Sequence, residues 1–221
     1  MKKIMLLSAS ILFVSAVYAQ KIKVYESREN IGNGNNNALV VAIYGCDESD
    51  VQKEWKSLMK GYGAKVSTDK SGMFADNAVI KDMGNNTIDI YARFDVKKDG
   101  EIDLVVGWDL GGAYMSSSAH PDKYKIAEKI MHDFSYKMTK EAIDSKLKDQ
   151  QKALDKLNSQ QHDLEKDNKN LNSEITDYQN RIKKDQDALE KNKDDQAKKH
   201  TEISNQQTIV DDLTKKDKAV E

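Results

Sequence analysis

The chain has 221 residues, 38% of them hydrophobic and 33% charged, with 35 basic side chains against 37 acidic ones. An ordinary globular domain is roughly 45–50% apolar and about 25% charged; the departure comes from a C-terminal part far more polar than the middle. The weakly acidic, well-mixed charge argues against nucleic acid as a partner and supplies no polybasic patch for anionic lipid.

The first residues read as an export signal. Met1-Lys2-Lys3 is a basic start, Ile4 to Val17 is an apolar run, and Val17-Tyr18-Ala19 ends on a small residue suited to cleavage. The expected signal peptide is 1–19, with the mature chain starting at Gln20. The apolar run is shorter than the roughly 20 residues a bilayer core needs, so no membrane span is expected in the mature chain. Removing Lys2 and Lys3 leaves 33 basic against 37 acidic residues, a net charge of −4. The single cysteine, Cys46, is far from the cleavage point and excludes an intrachain disulfide. It reads as a small buried hydrophobe at a strand end.

An α+β domain is expected over 20–140. Residues 28–37, rich in Asn and Gly, read as a loop, and the following apolar run Ala38 to Tyr44 as a strand buried on both faces. Asp47 to Ser49 supply an N-cap for a helix from about Ser49 to Lys60, whose apolar face is Val51, Trp55, Leu58 and Met59. Gly61-Tyr62-Gly63 ends it. Strands are expected at Ala64 to Thr68 and Met73 to Lys81. The clearest pair is Thr87 to Val96 with Glu101 to Leu110: both alternate with period two, and Lys97-Lys98-Asp99-Gly100 joins them as a hairpin turn. After a loop from Gly111 to His120, Pro121 sits in the first turn of a helix with the apolar stripe Ala127, Ile130, Met131, Phe134 and Met138. Both helices can cover one face of a mainly antiparallel sheet, which makes a two-layer domain.

From 141 to 221 the pattern is a coiled-coil helix. No glycine follows Gly112 and no proline follows Pro121, and such a long stretch without either breaker is a helix signal. With Leu147 at heptad position a, the seam carries Leu147, Leu154, Asn168, Ile175, Ile182, Leu189, Ile203 and Val210 at a, and Leu157, Leu164, Leu171, Tyr178 and Leu213 at d. Twelve of the 20 a and d positions from 147 to 213 are apolar. A strict seven-residue repeat held without a skip marks a coiled coil, since a surface helix drifts off it. From Asp144 to Leu213 the helix would extend roughly 105 Å. Asp185 to Lys199 puts three polar residues at d, so this stretch is expected to be loose or to bend back as an antiparallel hairpin. The partner is expected to be a second copy or another coiled-coil protein.

Candidate chemistry is sparse. His162 and His200 fall at polar positions of the coil, and His132 beside the helix stripe. Asp109, Ser117 and His120, with Ser116 and Ser118 alongside, form a conceivable Ser-His-Asp set, although no G-x-S-x-G turn accompanies them. Asp109 and Asp122 lack the spacing of a calcium loop, and no Cys/His set matches zinc. The expectation is a non-enzymatic protein without cofactor or metal.

The stretches from Ile80-Lys81-Asp82 to Ile90 and from Asp109-Leu110-Gly111-Gly112-Ala113-Tyr114 to His120-Pro121-Asp122 carry a resemblance. Together with the export signal and the coil, they resemble uncharacterised exported coiled-coil proteins of Gram-negative bacteria. That likeness implies a periplasmic or secreted envelope component and brings no activity. A looser similarity is to periplasmic holdase chaperones, which pair a small β-containing body with helical arms. Here the domain wholly precedes a single helix, and the charge is acidic where theirs is basic.

Overall fold

The computed structural model describes residues 21–218; the expected export signal lies outside them. The elements are β1 (Val24–Ile31), β2 (Gly34–Ile43), α1 (Glu48–Gly61), β3 (Lys65–Asp69), β4 (Gly72–Ala78), β5 (Ile88–Val96), β6 (Ile102–Asp109) and α2 (Pro121–Lys218), with a 3-10 turn at Lys81–Met83. The strands form one six-stranded sheet in the order β1-β2-β6-β5-β4-β3, and every neighbouring pair is antiparallel. Sheet and helices together make an α+β fold.

The sequence accounts for most of these elements. Helix α1 starts after Asp47, whose backbone is extended and whose carbonyl accepts the Asp50 and Val51 N–H groups; its carboxylate makes no capping bond. Val51, Trp55 and Met59 are buried at the expected helical spacing. β5 and β6 pair from Asp89–Asp109 to Val96–Ile102, so Ile88, Ile90, Ala92, Ile102, Leu104, Val106 and Trp108 enter one core. That core also takes Leu39, Val41 and Ile43 from β2, the three buried residues of α1, and Ala127, Met131, Phe134 and Met138 from the start of α2. Trp55 and Phe134 meet edge to face, with ring centroids 5.0 Å apart. At about 25 cal/mol per Å² of apolar area, burying aliphatic side chains of this kind contributes about 1.5–3 kcal/mol each.

Two expectations change. The loop expected over residues 28–37 is instead a β-hairpin: Ile31 pairs with Gly34, Asn30 with Asn35, Glu29 with Asn36 and Arg28 with Asn37. Gly32, at φ +65°, takes the first turn position, which suits a tight hairpin turn. Asparagine is poor in strands, but these asparagines pair along the ladder and bond across it. Asn36 Nδ2 donates to the Ile31 carbonyl (2.9 Å) and Asn37 Nδ2 to Glu26 Oε1 (3.1 Å). The second change is in the coil. α2 is one helix through Lys218, so the stretch Asp185 to Lys199 does not fold back as a hairpin; it holds neither glycine nor proline.

The first strand on which sequence and structure agree, β2, is buried on both faces as expected. Leu39, Val41 and Ile43 face the main core, while Ala38 and Val40 join Ile31 and Val105 in a second, small cluster. Two compact units divide the chain, one ending at Gln150 and the other starting at Gln151.

Candidate functional site

The loop after β6 gathers the residues of the conceivable Ser-His-Asp set. Its path is fixed by Leu110 N–H to the Ala113 carbonyl (3.0 Å), by a bridge between Asp109 and Tyr114, and by Met115 N–H to the Trp108 carbonyl (2.8 Å). Asp109 Oδ1 accepts from the Gly111 and Gly112 N–H groups at 3.0 and 2.8 Å, so its carboxylate holds the turn. The Ser117 N–H donates to both carboxylate oxygens of Glu26 at 3.3 Å. Ser116 Oγ accepts from the Ala119 N–H at 3.1 Å. The His120 N–H donates to the Ser116 carbonyl, and the His120 carbonyl receives the Tyr124 N–H, both at 2.9 Å. His120 Nδ1 is buried without a hydrogen-bond partner. The side chains of Asp109, Ser117 and His120 make no hydrogen bond to one another. A serine needs a base within about 2.6–3.2 Å to become a nucleophile, and the bonds these residues do make shape the loop and start α2.

Tyr114 packs into a slot made by two glycines. A Cβ on Gly32 would lie 1.9 Å from Tyr114 Oη, and one on Gly107 would lie 3.1 Å from both Tyr114 Cε1 and Ile31 Cγ2. Its ring neighbours Tyr91, which stacks on Phe74 with centroids 4.7 Å apart.

On the same side of the sheet, Arg93 organises a charge network that the sequence reading missed. Its guanidinium grips Asp95 through Nε and Nη2, both at 2.8 Å, and donates to Glu29 Oε2 at 3.0 Å and the Asn30 carbonyl at 2.7 Å. The bond to Asp95 leads in raising its pKa, with burial opposing. The only signal in the sequence was Arg93 and Asp95 two apart on one strand face.

Cys46 is half-buried, with Sγ 3.3 Å from the Met138 carbonyl. Burial pushes its thiol pKa up, and Asp50 adds to the effect against Lys146. That is the opposite of what activates a thiolate. Among the described residues no group of three or more His, Cys, Asp or Glu is placed to hold a metal ion.

An open groove of about 880 Å³ runs between α1, the segment around Val79 and the start of α2. Leu58, Tyr62, Ile126 and Ile130 line it, and the ion pairs Lys137–Glu54 (2.9 Å) and Lys129–Asp133 stand on its rim. Leu58 and Ile130 belong to stripes expected to be core; they end half-buried at the groove instead.

In the second unit the apolar seam lies bare. Leu154, Leu157, Leu164, Leu171, Ile175, Tyr178, Ile182, Leu189, Ile203, Val210 and Leu213 are each between 46% and 64% exposed; Leu147, still in the first unit, is 64% exposed. Around them are side-chain bonds three or four residues apart, such as Gln161–Glu165 (2.8 Å), Asn172–Asn168 (2.8 Å) and Lys199–Glu202 (2.5 Å). Such contacts support a helix by only about 0.2–0.5 kcal/mol each. Among the described residues no helix is long and apolar enough to cross a membrane. No protein-family model, no curated protein and no solved structure matches the chain.

Proposed function

We propose that this is a non-enzymatic, exported interaction protein, periplasmic or secreted, in which the C-terminal helix forms a coiled coil and the α+β domain binds a protein or glycan. The observation that carries the reading is the exposed heptad line along α2, whose seven-residue register holds without a skip. Apolar residues repeating over more than three or four heptads suit a partner helix and do not suit water. The coil oligomerises the protein or spaces its domain from an attachment point.

Sheet and helices form two layers, with α1 and the start of α2 on one face; the shared core of Trp55, Met131 and Phe134 with Leu39, Ile90 and Leu104 supports this. Sedimentation equilibrium of residues 20–221 tests the coil, and a strictly monomeric species overturns it. N-terminal sequencing of envelope material tests export, with Gln20 as the expected first residue.

A second reading is a holdase chaperone, favoured by the apolar-lined groove at Leu58 and Ile130 together with the bare seam. It requires suppression of aggregation of an unfolded client at near-stoichiometric ratio.

A further inference from the structure

The seam is interrupted in a way that specifies its own partner. Between Leu189 and Leu213, position d carries Asn192, Lys199 and Gln206, and one heptad earlier it carries Asp185. A continuously apolar partner helix would bury each of these against hydrocarbon, where an unpaired charge or amide is costly. A partner with polar residues at the same heights avoids that cost.

We propose that the seam from Leu154 to Leu213 pairs with the same seam of a second copy of this chain, parallel and in register. The inference rests on the coiled-coil reading above and adds the partner, direction and alignment. In register, all apolar layers meet apolar layers, and a slip by one heptad sets Leu154 against Gln161, Tyr178 against Asp185 and Leu189 against Gln196. Asn168 meets Asn168 of the other copy at position a, a pairing that fixes two strands and their register at some cost in stability.

Register also sets Asp185 against Asp185 and Lys199 against Lys199 at d, and the flanking g positions answer both. Arg181 stands at g one turn before Asp185, and Asp195 stands at g one turn before Lys199. In a parallel pair a g side chain crosses towards the e position of the other helix, which adjoins its d residue. Arg181 thereby approaches the Asp185 layer, and Asp195 approaches the Lys199 layer. The sign of g reverses where the sign of d reverses. Glu202, also at g, already holds Lys199 within its own helix at 2.5 Å, adding a second acid beside that layer.

The test uses the whole protein in a Cys46→Ser background, with Leu154→Cys and Val210→Cys made separately. A parallel, in-register pair brings identical a positions within disulfide reach, a Cα separation of about 4.4–6.8 Å. Each variant is then expected to form a disulfide with itself, and an oxidised mixture of the two to contain no product joining the Leu154→Cys chain to the Val210→Cys chain. Mixed product in place of self-linked product overturns the inference by showing antiparallel strands, yet leaves the coiled-coil reading standing. A trimer or larger species by sedimentation overturns it too. A strictly monomeric protein overturns both readings. For the charge pattern, Arg181→Glu is expected to weaken the dimer about tenfold and Arg181→Glu with Asp185→Lys to recover it. Equal weakening in the single and double variants removes the charge pattern as a determinant of register.

Discussion

Ser135 Oγ donates a 2.6 Å hydrogen bond to the carbonyl of Ala42, tying the start of α2 to the end of β2. Ser135 is fully buried in the middle of an otherwise apolar stripe. Nearby, Thr139 Oγ1 accepts the Tyr44 N–H at 3.1 Å. These side chains satisfy backbone groups at the end of β2, where Ala42 lies past the last β1 pairing, Val24 with Val41, and Tyr44 past the last β6 pairing, Ile43 with Ile102. Ser135→Ala strands the Ala42 carbonyl, and the expected loss is about 1–3 kcal/mol. Urea unfolding is the measurement, with the midpoint falling at unchanged slope. A midpoint equal to that of the parent would show that water replaces the hydroxyl.

Gly32 has little room to change. Its φ of +65° disfavours any side chain, and its missing Cβ makes room for Tyr114. Gly32→Ala is expected to destabilise the domain by about 1–3 kcal/mol, the usual cost of overpacking. Adding Tyr114→Phe removes the atom in closest conflict and should recover part of the loss, leaving the backbone strain. Thermal unfolding of the parent, both single variants and the double variant closes the cycle; strict additivity would disprove the contact.

Asp95 and Asp103 are directly opposite one another on β5 and β6. Like charges in that relationship are destabilising, and here Arg93 holds the first while Lys97 holds the second at 2.9 Å. Arg93→Ala is expected to cost about 1 kcal/mol, the upper end for partly exposed pairs because the grip is two-pronged. Asp95→Asn in the same chain should return much of that. Chemical denaturation at low and high salt reads it: screening should narrow the deficit of the Arg93 variant.

The Lys129–Asp133 pair on the groove rim gives a pH signature. The bond from Lys129 holds the Asp133 pKa below its ordinary value of 3.8, with burial opposing, and the same bond raises that of Lys129 above 10.5. A lowered carboxyl pKa stabilises the fold above its unfolded value and loses that effect as pH falls through the folded one; a raised lysine pKa stabilises below its unfolded value and loses that effect as pH climbs. The pair therefore contributes between the two limits. Asp133→Asn is expected to melt slightly below the parent at neutral pH, with the gap closing as pH is taken below 3.8. A gap that persists in acid would assign the effect to packing.

Much of the domain was readable because burial writes its period into the chain. Ile88 to Trp108 alternate, and Val51, Trp55 and Met59 repeat with the helix, so these elements announced their inner faces. The β1–β2 hairpin did not, because its outer half is edge strand: Arg28 to Asn37 is paired through backbone ladders and amide bonds, which leave no apolar period. Ser135 was hidden for the converse reason, as a polar residue whose partner is a carbonyl far away in sequence. The loop set of Asp109, Ser117 and His120 was legible only as residue types, which carry no geometry. Their bonds to Gly111, Glu26 and Ser116 appear only once the chain has folded.

The strand order has a consequence for how the domain is made. Helix α1 carries the chain from β2 to the far edge of the sheet, and β3 to β6 then return, so β2 meets its second neighbour only when Leu39 finds Val106. The core closes later still, when Phe134 reaches Trp55 and Met138 joins the same cluster. A ribosome releasing this chain from its N-terminus therefore presents the sheet with part of its core face uncovered until the first turns of α2 emerge. Leu39, Val41 and Trp55 share their core with Ala127, Met131, Phe134 and Met138, so their final cover is the last part of the domain to be synthesised.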